Sequence, residues 1–137
     1  MGIRIDHIGI AVSDLDTGSK FWRLIGLEQG EDELNKEQGV NIRFFGSKQE
    51  AKAPQIELLS PTSEDTPIGR FLEKKGPGIQ QIAFQVDDLQ SLLDKLKSEG
   101  IRLINETPTK GAHGSQTAFV HPSSTGGVLV ELLQYDD

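Results

Sequence analysis

Apolar and polar positions alternate in some stretches of the chain and recur at helical spacing in others. In "RIDHIGIAV" (4–12), His7, Gly9 and Ala11 fall on one side and Ile8, Ile10 and Val12 on the other. That period of two predicts a strand. "IQQIAFQV" (79–86) predicts a second one. Leu89, Leu92, Leu93 and Leu96 recur at i, i+3, i+4 and i+7 behind Asp87-Asp88, which reads as a capped helix with one apolar stripe. A similar helix starts at Ser13-Asp14 and runs to about Leu24, with Phe21, Trp22 and Ile25 apolar and Trp22 assigned to the core. Gly26 and Gly100 fit helix C-termini. Shorter strands are expected near Leu27, at 40–45 and 55–59, and again at 102–104, 116–120 and 128–133. Between them, Thr66 as cap and Pro67 at the first helical position open a short helix in "TSEDTPIGRFLEKKG".

These elements repeat. Displaced by 74 residues, Ile5 falls on Ile79, His7 on Gln81, Val12 on Val86, Asp14-Leu15 on Asp88-Leu89, Gly26 on Gly100 and Phe45 on Phe119. The same shift lays "IELL" (56–59) on "VELL" (130–133), so Glu57 meets Glu131. Two copies of so long a unit exclude a solenoid. The expected fold class is α+β: one domain, residues 1–137, of two tandem βαβββ modules (about 3–60 and 77–134) joined by a short helical linker. Related by a pseudo-two-fold axis, they would form a half-open, curved mixed sheet around a central site.

Composition sets the outer bounds. With 137 residues, 35% of them hydrophobic, the chain buries a core without covalent staples. It has no cysteine, which excludes disulfides, thiolate metal sites and cysteine nucleophiles. A net charge of −7 argues against nucleic-acid and anionic-membrane partners. No apolar run approaches the roughly 20 residues of a membrane span. The first ten residues lack the basic start and apolar core of a signal peptide, and Asp6 replaces the Ser/Thr of a myristoylation signal. A cytoplasmic location is expected.

The candidate chemistry lies where the duplication keeps polar residues inside apolar strands: His7 and Gln81 in the first strand of each copy, Glu57 and Glu131 in the last. A carboxylate on an inward strand face is costly unless paired or metal-bound. One imidazole nitrogen, one amide oxygen and two carboxylates suit a divalent cation (Co²⁺, Mn²⁺, Ni²⁺, Zn²⁺ or Mg²⁺). The competing reading makes His7 a hydrogen-bonded structural residue and puts both glutamates on solvated faces, with Leu58 and Leu132 carrying the core.

"DHIGIAV" and "VLVELLQ" in a paired βαβββ frame resemble the vicinal oxygen chelate superfamily, which includes glyoxalase I and extradiol dioxygenases. "GAHGSQTAFVHPSSTGGVLVELLQ" (111–134), "IELLSPTSEDTPIGRFLEKKGPGI" (56–79) and "EQGVNIRFF" (37–45) resemble, more narrowly, its methylmalonyl-CoA epimerases. The resemblance implies a glyoxalase-like fold, a homodimer and one divalent cation held at His7, Glu57, Gln81 and Glu131. It also implies isomerase activity on an acyl-CoA, in which a metal-stabilised enolate forms when the α-proton is removed. Glu131 is then both ligand and candidate proton carrier. Gly111, His113, Gly114 and Ser115, in the loop "KGAHGS", are candidates for holding the substrate carboxylate. Lys74 and Lys75 are weaker candidates for CoA phosphates, against a solvated linker. Two departures stand out. Gln80-Gln81 replaces the family's two histidines, and Ile42 stands where some members carry glutamate. The alternatives are a glyoxalase-type reaction of the same superfamily and a metal-free small-molecule binding module.

Overall fold

A computed structural model describes residues 2–136. Contacts gather the chain into two compact units, His7–Gln80 and the residues up to Asp6 together with those from Gln81 on. The boundary falls inside the first strand.

In the first unit, strand β1 (Ile3–Ala11, its residues from His7 onward) pairs in parallel with β5 (Gln55–Pro61), and β4 (Val40–Gly46) runs antiparallel to β5. Two short strands, β2 (Glu28–Gln29) and β3 (Glu33–Asn35), pair with successive parts of β4. The sequence analysis anticipates β2 near Leu27 and misses β3, whose three residues carry no alternating apolar signal. Helix α1 (Leu15–Leu24) starts as expected: the Asp14 side chain accepts from the Thr17 backbone N–H at 2.9 Å. It packs over Val12, Phe45 and Leu58, with Ile10, Leu15, Trp22, Leu27 and Ile56 around them. Trp22 thus joins this core as a partly buried member. Helix α2 (Pro67–Lys75) starts on Thr66, whose hydroxyl accepts from the Gly69 N–H at 3.1 Å. Gly69 is there because a side chain would meet the carbonyls of Ser63 and Glu64 at 2.6 Å.

In the second unit, β6 (Gly78–Val86) pairs in parallel with β9 (Val130–Gln134), β8 (Gln116–Val120) runs antiparallel to β9, and β7 (Thr109–Lys110) borders β8. Helix α3 (Leu89–Ser98), capped by Asp88, covers Val86, Leu89, Leu93, Ala118, Val120 and Leu132. The strand expected at 102–104 does not form. Only Leu103 bridges to Val120, and the edge is taken by Thr109–Lys110. The stretch 102–104 is held by the two bonds of that bridge, Ile104 N–H to the Phe119 carbonyl and His121 N–H to the Arg102 carbonyl, and by the Arg102 N–H on Ser124 Oγ.

The two helix exits match in detail. Gly26 and Gly100 both have positive φ, 105° and 81°. The residue after each donates back to the helix, Leu27 N–H to Trp22 O and Ile101 N–H to Leu96 O. This is the Schellman closure that a left-handed glycine permits.

Strand register carries the 74-residue displacement into three dimensions. Gly9 stands opposite Glu57 as Ala83 stands opposite Glu131. In the antiparallel pair, however, the correspondence slips by one. Glu57 faces Phe44, and Glu131 faces Phe119. Phe119 therefore occupies the place of Phe44 rather than that of Phe45. The core agrees: Phe45 packs under α1, while Ala118 and Val120, not Phe119, pack under α3.

Candidate functional site

All four polar residues singled out in the strands are buried: His7 4%, Glu57 5%, Gln81 7% and Glu131 6% exposed. Neither of the two orientations weighed for the glutamates describes them fully. Leu58 and Leu132 do carry the helix-packed core. Glu57 and Glu131 consequently lie on the opposite face of their strands, and that face is buried rather than solvated.

Within the first unit, His7 Nδ1 lies 2.9 Å from Glu57 Oε2. β1 and β5 set this pair: His7 stands opposite Gln55, two residues before Glu57 on the same face, so an imidazole reaches the carboxylate beside it. Asp6, the preceding residue of β1 and the last of its stretch in the second unit, is also buried. Asp6 is absent from the sequence reading, although an acid next to the candidate histidine was the available signal. Tyr135 donates its hydroxyl to the Asp6 carboxylate at 3.1 Å, which meets part of the cost of burying it.

Within the second unit, Gln81 Nε2 donates to Glu131 Oε1 at 2.6 Å. Thr117 Oγ1 donates to Glu131 Oε2 at 2.5 Å and is fully buried. Both carboxylate oxygens thus have a side-chain donor. Thr117 too is missed by sequence reasoning. The gap-free shift lays it on Arg43, whereas the observed register gives it the place of Ile42: Ile42 stands opposite Leu59, and Thr117 opposite Leu133.

The loop "KGAHGS" is a preformed turn. Ala112–Gly114 make one 3-10 turn, the Gly111 N–H donates to the Ser115 carbonyl at 2.9 Å and the Ser115 N–H to the Ala112 carbonyl at 3.1 Å. Two of the loop's backbone donors are therefore engaged within it. A side chain at Gly111 would meet Ser115 Oγ at 2.6 Å. His113 is exposed and adopts φ 56°, ψ 33°, the left-handed region that few non-glycine residues occupy. Ser115 is buried, with its hydroxyl on the Ala112 carbonyl at 2.7 Å. Lys74 and Lys75 lie exposed in the last turn of α2, Lys75 Nζ 5.8 Å from the Phe71 ring centre.

In the first unit a half-open groove of about 260 Å³ runs beside β4, lined by Phe44 and Gln55 with Glu28 and Glu50 among its walls. Phe44 and Gln55 share the strand face of Glu57. The two carboxylates in its walls make it unsuited to phosphate.

The donor set passes a chemical test for a divalent cation: one imidazole, one amide and two carboxylates, all buried, with no sulfur. Of the Gln81 amide only the oxygen can ligate, and its nitrogen donates to Glu131. Among the described residues no helix is long and apolar enough to cross a membrane.

A family profile described as Glyoxalase/Bleomycin resistance protein/Dioxygenase superfamily matches residues 6–119. The mitochondrial methylmalonyl-CoA epimerase of Bos taurus is 38% identical over 133 residues, which are 96% of this chain and 74% of that protein. The crystal structure of methylmalonyl-CoA epimerase from Mycobacterium tuberculosis superposes with a TM-score of 0.90 at 39% identity, over 97% of this chain and 88% of that one. A Streptomyces coelicolor methylmalonyl-CoA epimerase variant, solved with 2-nitronate-propionyl-CoA, gives 0.89 at 38% identity, over 96% and 94%. The α+β glyoxalase-like fold expected from the sequence is thus the fold of its relatives. The chain belongs to the Glyoxalase/Bleomycin resistance protein/Dioxygenase superfamily and, within it, to the methylmalonyl-CoA epimerases, which are isomerases.

Proposed function

We propose that the protein interconverts the epimers of methylmalonyl-CoA, with His7, Glu57, Gln81 and Glu131 holding one divalent cation. The observation that carries this reading is the pair of glutamates at one register place of two successive units, each buried and each with a buried polar partner at the shift-equivalent positions 7 and 81.

The α-carbon of the substrate lies between a thioester and a carboxylate. Removing its proton places negative charge on the thioester oxygen, and a bound cation supplies the Lewis acid that such a charge needs. The chain's own residues do the rest. Glu131 is the proton acceptor we assign, because Gln81 and Thr117 already hold its carboxylate in one orientation. Inversion needs a second group on the other face of the α-carbon, and Glu57, in its own unit with His7 at 2.9 Å, is the matching carboxylate. Gly111, His113, Gly114 and Ser115 are assigned to the substrate carboxylate, with the turn fixed before binding by its own hydrogen bonds. The active form is taken to be a cytoplasmic homodimer, for which light scattering of the purified protein is the check.

Incubation of methylmalonyl-CoA in heavy water with protein and Co²⁺ tests the reading, with the α-hydrogen followed by NMR. Exchange well above the protein-free rate is expected; an unchanged rate ends the epimerase assignment. A metal-free binding module is the competing reading, favoured by Gln81 and Thr117, which satisfy both oxygens of Glu131 without a cation. Elemental analysis of protein purified without chelator separates the two. A near-stoichiometric transition metal is expected, whereas no metal, and no uptake on titration, would support the binding module.

A further inference from the structure

Thr117 is given no contact with cation or substrate in the chemistry above, yet it is the most completely buried polar residue against Glu131. Its side chain is 0% exposed and its hydroxyl is 2.5 Å from Glu131 Oε2; the Leu132 carbonyl, at 3.3 Å, is a poorer second acceptor. The register gives its counterpart. Ile42 holds the same place in the first unit, opposite Leu59 as Thr117 is opposite Leu133, and it is buried too. A branched hydrocarbon is therefore sufficient to pack this position. What threonine adds at nearly valine's volume is a hydroxyl, which must find an acceptor once buried. It finds the one carboxylate on that face of β9.

The two donors on Glu131 differ in kind. Gln81 Nε2 donates to Oε1 from a long side chain with several rotatable bonds. Thr117 holds Oε2 from the neighbouring strand, on a short β-branched side chain with few rotamers. We propose that Thr117 is a positioning residue for Glu131: its hydroxyl ties Oε2 to β8 and so fixes the orientation in which the carboxylate meets the cation. This rests on the cation reading above, and it predicts that removing one hydroxyl, with no ligand touched, loosens the cation.

The test is calorimetric titration of the full chain with Co²⁺, alongside the visible d–d spectrum of the cobalt form, for the parent, Thr117→Val and Thr117→Ser. Loss of a side chain that orients a ligand is expected to weaken cobalt binding about 10- to 100-fold in Thr117→Val and to alter its spectrum. Thr117→Ser, which keeps the hydroxyl, should stay within about threefold of the parent with the parent's spectrum. Circular dichroism checks that the variants fold. If Thr117→Val fails to fold, Thr117→Ala against Thr117→Ser makes the same comparison. The proposal is overturned if the hydroxyl-free variant binds cobalt within about twofold of the parent, or if serine and the hydroxyl-free variant weaken it equally, which would mean packing alone. A parent that takes up no cobalt also overturns it. A parent that binds cobalt but exchanges no α-proton ends the epimerase reading and leaves the Thr117 result standing.

Discussion

The two units use one plan with different chemistry at three matched places. Where the first has His7 beside Glu57, the second has Gln81 beside Glu131. Ile42 is matched by Thr117. Arg43, opposite Leu58, is matched by Ala118, opposite Leu132. The first unit thus carries a titratable partner at its glutamate and an ionic clamp on its other face. The second carries two neutral donors at its glutamate and a plain apolar core. Among the buried polar residues, the glutamate is the one that both units retain unchanged at a matched place, and the neighbours set what each acid does.

The strongest way to break the comparison is to neutralise the acids one at a time. Glu131→Gln keeps the shape, exchanges one accepting oxygen for a donor and cannot accept the α-proton. A fall of about 10²- to 10⁴-fold in the NMR exchange rate at saturating Co²⁺ is expected. Glu57→Gln should fall by a similar factor in epimer interconversion, while retaining more of the solvent exchange at one face. Equal loss of both readouts in both variants would mean that the acids act as one unit and that their different neighbours are immaterial.

Replacing Gln81 by His gives the second unit the partner of the first. Imidazole is a better donor than an amide for borderline ions, so cobalt affinity measured by titration should hold or rise by up to about tenfold. A clear loss would show that the cation does not touch position 81.

Much of this was legible in the sequence because it is periodic or covalent. The alternation in "RIDHIGIAV" located β1 and the leucine stripe located α3. Asp14, Asp88, Thr66 and the two glycines marked helix ends through local hydrogen bonds and backbone freedom that those residue types dictate. The four polar residues stood out because the duplication kept them inside apolar strands. What was lost depended on pairing between strands. A gap-free shift hid the one-residue slip of β8, and with it Thr117. β3 has three residues and one apolar side chain, too little to imprint a pattern, and 102–104 looks like a strand although it meets β8 through a single bridge. Whether Glu57 and Glu131 faced water was also beyond the pattern, since both faces of these strands are buried.

Arg43 sharpens the comparison on the helix-facing side. It is buried and donates to Asp32 through Nε and Nη2, both at 2.8 Å, and to Asp16 Oδ1 and Ser19 Oγ through Nη1 at 2.9 and 3.1 Å. It ties the link between β2 and β3 to α1, a task that the second unit, with Ala118 there, does without. Because Asp32 and Asp16 are largely exposed, screening reduces what each pair contributes. Arg43→Met is expected to cost about 1–2 kcal/mol, chiefly through the lost clamp. The pH dependence has a definite sign. Hydrogen bonding to the Arg43 guanidinium, against the opposing effect of partial burial, holds the Asp32 carboxyl below its usual range. A depressed carboxyl stabilises the fold above its unfolded pKa, near 4, and that contribution is lost as pH falls through the lower folded value. Thermal melts of parent and Asp32→Asn should therefore differ at pH 7 and converge as pH drops below about 4. A constant difference down to pH 2 would place the effect in packing.

The smallest expected effect lies at the helix caps, where the units look most alike. Asp88 accepts only from the Ser91 N–H, at 3.1 Å, whereas Asp14 accepts from both the N–H and the hydroxyl of Thr17, at 2.9 and 2.5 Å. Asp88→Ala removes one cap bond and should cost about 1 kcal/mol, a few degrees in melting temperature. Asp14→Ala removes two and should lower the melting temperature further. Its effect should also fade in acid, because the Thr17 hydroxyl, more than the Thr17 N–H, depresses the Asp14 carboxyl. A protonated carboxyl is a weaker acceptor, so parent and variant approach each other once pH passes below that lowered value. The measurement is the melting-temperature difference of each variant from the parent between pH 7 and pH 2. Thr17→Val then isolates the hydroxyl: it should bring the Asp14 cap down to the single-bond strength of the Asp88 cap. If it leaves Asp14 the stronger of the two, the difference between the units lies in the backbone at the two helix starts and not in the side chain that follows the cap.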